Sequence, residues 1–106
     1  MITVNLYYTG KNGSARAFAA EKESTGIANE IRNEPGNLRY QYFSPLNDPE
    51  TALLIDSWTD QAAIDSHHAS PMMQKIMELR EKYDLHMIAE RFVSEEVGSD
   101  EIFIRK

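Results

Sequence analysis

The chain has 106 residues, 42% of them hydrophobic and 26% charged, which is the balance of one small folded domain rather than a disordered or membrane-embedded chain. Its formal net charge is −6, from 17 acidic against 11 basic residues, and this argues against a nucleic-acid or anionic-membrane partner, both of which need a basic face. There is no cysteine, so disulfides, thiolate catalysis and cysteine-ligated metal clusters are excluded.

The N-terminus carries neither a basic segment nor a long apolar one, so a cytoplasmic location is expected. Alternation over Ile2–Thr9 predicts a first strand, with Ile2, Val4, Leu6 and Tyr8 on one face and Thr3, Asn5 and Tyr7 on the other. Gly10-Lys11-Asn12-Gly13 breaks it, and a long helix is expected from Ser14 to about Asn33. Its inward stripe reads as Ala17, Ala20, Ser24, Ile27 and Ile31, with Gly26 an interior weak point. Glu34-Pro35-Gly36 ends it.

A second strand is expected over Asn37–Ser44, with Leu38, Tyr40 and Tyr42 together on one face. A turn-rich loop at Pro45–Glu50 leads into a third strand, Ala52–Trp58. Thr59 or Asp60 caps a short helix to about His68, and Ser70-Pro71 starts another that ends near Tyr83. A fourth strand covers Leu85–Val93. Residues 1–94 thus form one domain and 95–106 a tail, whose apolar tip, Ile102–Ile104, is expected to be a short strand docked on a partner.

The order β-α-β-β-α(α)-β predicts an α+β, ferredoxin-like fold with an antiparallel sheet. Strands three and four are apolar on both faces: Leu53 and Ile55 oppose Leu54 and Trp58, while Met87 and Ala89 oppose Ile88 and Phe92. So few helices can cover one face only, so the other is expected to pack on a second copy as a homodimer.

No phosphate loop, nucleophile elbow or His-Glu-x-x-His stands in the chain. Of the three histidines, His67 and His68 are adjacent, about 100° apart on a helix, which is poor geometry for chelating one ion. Either one could act as a general base to a small molecule, or simply cap and solvate the helix end. Trp58 needs a partner for its indole N–H. Asn5 is the one amide on the first strand. Asp56, sharing a face with Trp58, would require pairing if buried, with Arg39 and Arg91 as candidates. Most of the strand aromatics, including Tyr40 and Tyr42, read equally well as sheet packing.

Glu34-Pro35-Gly36 with Tyr40, then Trp58, Asp60, Ala63, His67 and Ser70, follows a pattern E-P-G-x-x-x-Y … W-x-D-x-x-A-x-x-x-H-x-x-S. That pattern resembles the antibiotic biosynthesis monooxygenase family, which includes quinol monooxygenases. The resemblance covers residues 1 to about 93 and implies a dimeric α+β barrel with one pocket per subunit. It also implies oxidation of a small quinol or electron-rich aromatic by O₂ without metal or flavin. In that setting His67 or His68 is the base, Asn5 and Trp58 hold the ring and the oxygenated intermediate, and Tyr40, Tyr42, Asp56, Met72 and Met73 bind substrate. Three departures stand out. Asp56 replaces the usual glutamate, Met72 a frequent second histidine, and Met77 the haem-ligating histidine of haem-degrading relatives, which speaks against haem degradation. An isomerase or signal-processing enzyme, and a non-catalytic dimeric binding or stress-response module, are the other functions such a fold hosts. An arginine-lined pocket would favour the former and a cavity too small for a bicyclic ring the latter.

Overall fold

The computed structural model describes all 106 residues. The elements run β1 (Ile2–Thr9), α1 (Ser14–Ser24), α2 (Ile27–Arg32), β2 (Asn37–Phe43), β3 (Thr51–Trp58), α3 (Gln61–His68), α4 (Pro71–Lys82) and β4 (His86–Val93), followed by a 3₁₀ turn, Gly98–Phe103. The four strands form one antiparallel sheet in the order β2-β3-β1-β4. This is the ferredoxin-like α+β arrangement expected from the element order.

The expected long helix is two helices. Gly26 adopts φ 84°, a left-handed conformation that ends one helix and caps the next. The inward stripe also differs from the expected one. Ala15, Phe18 and Lys22 are buried on α1, whereas Ala17, Ala20 and Ser24 are exposed. Phe18 decides this register, because a buried phenyl ring removes far more apolar surface from water than an alanine methyl. Ile27, Ala28 and Ile31 continue the stripe on α2.

On β2 a bulge lies between Asn37 and Arg39, and Leu38 is thrown out to solvent while Tyr40 points into the core. Leu38 therefore does not share the inner face with Tyr40 and Tyr42. Asp60 caps α3, accepting from the Ala63 backbone N–H at 2.9 Å. Ser70 and Pro71 start α4 as anticipated, although the Ser70 hydroxyl donates back to the His67 carbonyl at 2.7 Å.

The core residues of all four helices cluster with Tyr8, Tyr40, Ala52, Leu54 and Trp58, which lie on one face of the sheet. Trp58 is 1% exposed and Tyr8 2%. The other face carries Asn5, Tyr7, Leu53, Ile55, Ile88 and Phe92, and no helix covers it. Every residue of the edge strand β4 is exposed. Within the protomer the tail is not a strand: it makes a local 3₁₀ turn over Gly98–Phe103, followed by an Ile104 N–H to Glu101 carbonyl hydrogen bond. No helix is long and apolar enough to cross a membrane.

Candidate functional site

A cavity of about 390 Å³ opens between the inner sheet face and helices α3 and α4. Its floor comes from alternate residues of three strands: Val4, Leu6 and Tyr8 of β1, Leu54, Asp56 and Trp58 of β3, and Met87, Ala89 and Arg91 of β4. Tyr40 of β2 adds a wall, and the helices contribute Ile64, His67, His68, Met73, Ile76 and Arg80. Eleven of these sixteen residues are apolar, so the space suits a greasy ligand.

His67 is the most constrained polar group here. It is 5% exposed, its ring stacks on Trp58 with centroids 4.8 Å apart and planes tilted by 30°, and its Nδ1 lies 2.7 Å from Glu34 Oε2. When Nδ1–H donates to that carboxylate, the neutral ring keeps its lone pair on Nε2. Burial pushes the imidazole pKa below its ordinary value, against the opposing pull of Glu34. His67 is thus held as a neutral base at neutral pH. His68, one residue on, is exposed, with its ring 5.7 Å from that of His67.

The turn that delivers Glu34 is fixed by a glycine. Gly36 has φ 84°, and a Cβ there would lie 2.5 Å from the Ala63 Cβ and 2.8 Å from the Thr59 hydroxyl oxygen. Only a bare backbone lets the 34–36 turn close on α3, and its carbonyl then accepts from Thr59 N–H at 2.9 Å.

Beneath the opposite wall lies a second polar cluster. Lys22 is wholly buried, with its ammonium 4.6 Å from the Tyr40 ring centroid and hydrogen-bonded to the Tyr40 hydroxyl. Burial drives its pKa down to about 7, opposed by the charge of Asp56. Asp56 is 6% exposed and its Oδ1 has no partner; burial pushes its pKa up to about 7, against the pull of the Trp58 indole and Lys22. The partner expected for Asp56 was Arg39 or Arg91. Neither forms an ion pair with it, and the nearby buried cation is Lys22. Burial likewise raises the phenol pKa of Tyr8 to about 12 and those of Tyr40 and Tyr42 well above the ordinary value.

Of the residues singled out from the sequence, His67, His68, Trp58, Tyr40, Asp56 and Met73 converge on the cavity. Asn5 does not: it sits on β1 between Val4 and Leu6, and strand alternation turns it to the outer face of the sheet. Met72 is buried in the core, and Tyr42 packs edge-on to Phe18 and Tyr40 away from the cavity lining. Arg80 on the cavity and Glu34 and Lys22 beside it are contributors the sequence reading did not single out, while Tyr8 was one of the strand aromatics considered. Glu34 was visible as part of the E-P-G motif, but a contact across 33 positions has no local signal. No three His, Asp or Glu side chains converge as metal ligands would.

The antibiotic biosynthesis monooxygenase family model matches residues 1–79. The chain belongs to this family. A relative named "Putative monooxygenase YcnE", from Bacillus subtilis, is 27% identical over 74 residues, 70% of this chain and 76% of that protein. Among solved structures, SnoaB, a cofactor-independent oxygenase from Streptomyces nogalater, superposes with a TM-score of 0.72 at 16% identity, over 92% of this chain and 96% of that one. A conserved Methanosarcina mazei protein gives a TM-score of 0.76 at 21% identity, over 89% and 92% of the two chains. These last two likenesses establish the fold.

Proposed function

We propose that this member of the family is a cofactor-independent monooxygenase that oxidises a small quinol or electron-rich aromatic with O₂, acting as a homodimer. The observation that carries the reading is the His67–Glu34 pair at the wall of an apolar cavity, with the imidazole clamped on Trp58. A buried, oriented, neutral imidazole is what phenol deprotonation requires.

Nε2 of His67 would take the phenolic proton, and Glu34 would steady the imidazolium that results. The phenolate is electron-rich enough to pass one electron to O₂. The apolar wall then keeps the radical pair together until a carbon–oxygen bond forms. One oxygen atom ends on the ring and the other leaves as water, with the substrate supplying both electrons. SnoaB, described as a cofactor-independent oxygenase, supports such chemistry on this fold. The uncovered sheet face, with Leu53, Ile55, Ile88 and Phe92, supports pairing with a second copy.

The two arginines on the cavity, Arg80 and Arg91, are the feature that favours an isomerase or signal-processing enzyme instead. The predominantly apolar lining weighs against a sugar-like ligand. A cavity of about 390 Å³ reaches the size of ordinary ligand sites, roughly 300 Å³ and above, and so weighs against the non-catalytic binding or stress-response module, which a cavity too small for a bicyclic ring would favour. The test is oxygen uptake with menadiol or an anthrone. Uptake by the native chain that is lost in His67→Ala supports the oxygenase. No uptake with either substrate overturns it.

A further inference from the structure

The apolar cavity contains a charge layout that quinol oxidation alone leaves unused. Tyr40 pairs with Asp56 across the sheet, Asp56 with Val4, and Val4 with Arg91, so these four stand in one row over β2, β3, β1 and β4. All four line the cavity. Adjacent strands lie about 4.8 Å apart, which separates the backbones of Asp56 and Arg91 by roughly 10 Å, with only the Val4 isopropyl group between them.

Two polar members of this row, Asp56 and Arg91, lack a charged partner. The Asp56 Oδ1 is buried with no hydrogen-bond partner. A buried polar atom facing a cavity without a partner marks a place for a ligand's donor. Two residues along the row from Asp56, Arg91 donates to the neutral Gln61 amide oxygen, and Arg80 Nη1 meets the Met87 sulfur at 3.1 Å. The chain has 17 acidic residues, yet neither arginine takes part in any of its three lysine– or arginine–carboxylate ion pairs. Two guanidinium groups at one cavity are thus left without a countercharge, and a guanidinium fork is matched best by a planar carboxylate.

We propose that the pocket takes an aromatic hydroxy acid. A ring hydroxyl donates to Asp56, a fused ring system lies over Val4, and an ionised carboxylate rests on Arg91 and Arg80. This deepens the oxygenase reading by naming its substrate class, and it concerns binding, which precedes any chemistry.

The test is a matched pair of ligands that differ in one group: 1,4-dihydroxy-2-naphthoate, which carries the carboxylate, and menadiol, which carries a methyl in its place. Binding is followed without oxygen by quenching of Trp58, the single tryptophan of the chain and a wall of the cavity. The expected result is that the acid binds the native protein at least about tenfold more tightly than menadiol. In the Arg80→Gln/Arg91→Gln double variant that preference disappears. Equal binding of the two ligands by the native protein overturns the proposal without needing any variant. So does a preference that survives in the double variant. 1-Naphthyl phosphate binding more tightly than the acid would reassign the arginines to a phosphate ester and overturn it too. Oxygen uptake measured in parallel separates the two readings. Tight binding of the acid with no oxygen consumed removes the oxygenase and leaves the anionic ligand. Oxidation of menadiol with no preference for the acid does the reverse.

Discussion

His67 Nδ1 and Glu34 Oε2 meet at 2.7 Å although 33 positions separate them in the chain. The contact gives His67 a role that the adjacent His68 cannot share. His67→Ala is expected to lower the rate of oxygen uptake by about 10²- to 10⁴-fold, the ordinary contribution of a positioned general base. His68→Ala should leave it within the same order of magnitude, because that ring is exposed and has no orienting partner. Glu34→Gln keeps the shape and loses the charge, with an expected loss of about 10- to 10⁴-fold, the upper end being that of a carboxylate that orients a general-base imidazole. Steady-state oxygen-electrode kinetics on the three variants check this. Equal losses at His67 and His68 would count against it.

The same pair sets a pH dependence. The folded-state pKa of His67 lies below its ordinary value, so the folded protein binds fewer protons at this site than the unfolded chain does. Stability from this group is complete above the unfolded value of about 6.5 and is lost as pH falls through it towards the lower folded value. The activity should have its acid limb below pH 6.5 or so for the same reason, since protonation removes the base. A profile of kcat/KM against pH, compared with that of Glu34→Gln, reads this directly. Without Glu34 to favour the imidazolium, the limb is expected to move to still lower pH.

How much of this was legible from the sequence depends on distance along the chain. Alternation in β1, β3 and β4 placed Leu54, Asp56 and Trp58 on one face correctly, because a strand's two-residue period is read within the strand itself. The stripe of α1 was misplaced because alanines occur on several faces, and only the packing of Phe18 chooses among them. Leu38 defeated the alternation on β2 because the bulge there depends on the pairing with β3. The sequence offers two adjacent histidines as candidate bases, and what sets them apart, the contact of His67 with Glu34, is tertiary. Lys22 carried no sequence warning at all: a lysine on a helix is ordinarily solvated, and its burial becomes apparent only when Tyr40 and Phe18 close around it.

Lys22 makes a further prediction. Its folded-state pKa of about 7 lies below the ordinary lysine value, so between pH 7 and 10 the unfolded chain binds a proton here that the folded protein does not. Stability from this group therefore rises with pH across that window, by roughly 1 kcal/mol per pH unit. Lys22→Met, which keeps an unbranched chain of similar length, abolishes that contribution. The difference in unfolding free energy between native and variant proteins, taken from urea titrations at pH 7.5 and 9.5, should change with this sign. A pH-independent difference would show that the ammonium stays charged in the fold.

Gly36 is the hinge on which the site's geometry rests. Gly36→Ala carries two costs, a positive φ for an alanine and a methyl 2.5 Å from the Ala63 Cβ. The first is worth about 1 kcal/mol and the second adds the strain of displacing α3, so a total loss of about 2–4 kcal/mol is expected. Adding Ala63→Gly should relieve the contact with the Ala63 methyl, less the roughly 1 kcal/mol a glycine costs inside α3, and leave the Thr59 contact and the conformational part. Thermal melts of the single and double variants measure both. Full recovery would mean that the backbone conformation costs nothing.

The uncovered sheet face and the tail give the last prediction. Ile88 is 70% exposed and Phe92 51% on the outer face of β4, while Ile102 and Phe103, at 81% and 85%, form an apolar tip with nothing in its own chain to cover it. Two copies meeting through their sheets would bury the first pair, and the tip would dock on the partner. Ile88→Glu places a charge in that interface without touching the helical core, so it should dissociate the dimer while the circular dichroism of the protomer stays native. Deleting residues 97–106 should weaken association by a smaller amount, because the tail adds contact area only at the margin. Sedimentation equilibrium at micromolar concentration decides both. A native chain that sediments as a single protomer removes the dimer, and a dissociation constant unchanged by the deletion removes the docking of the tail while leaving the sheet interface in place.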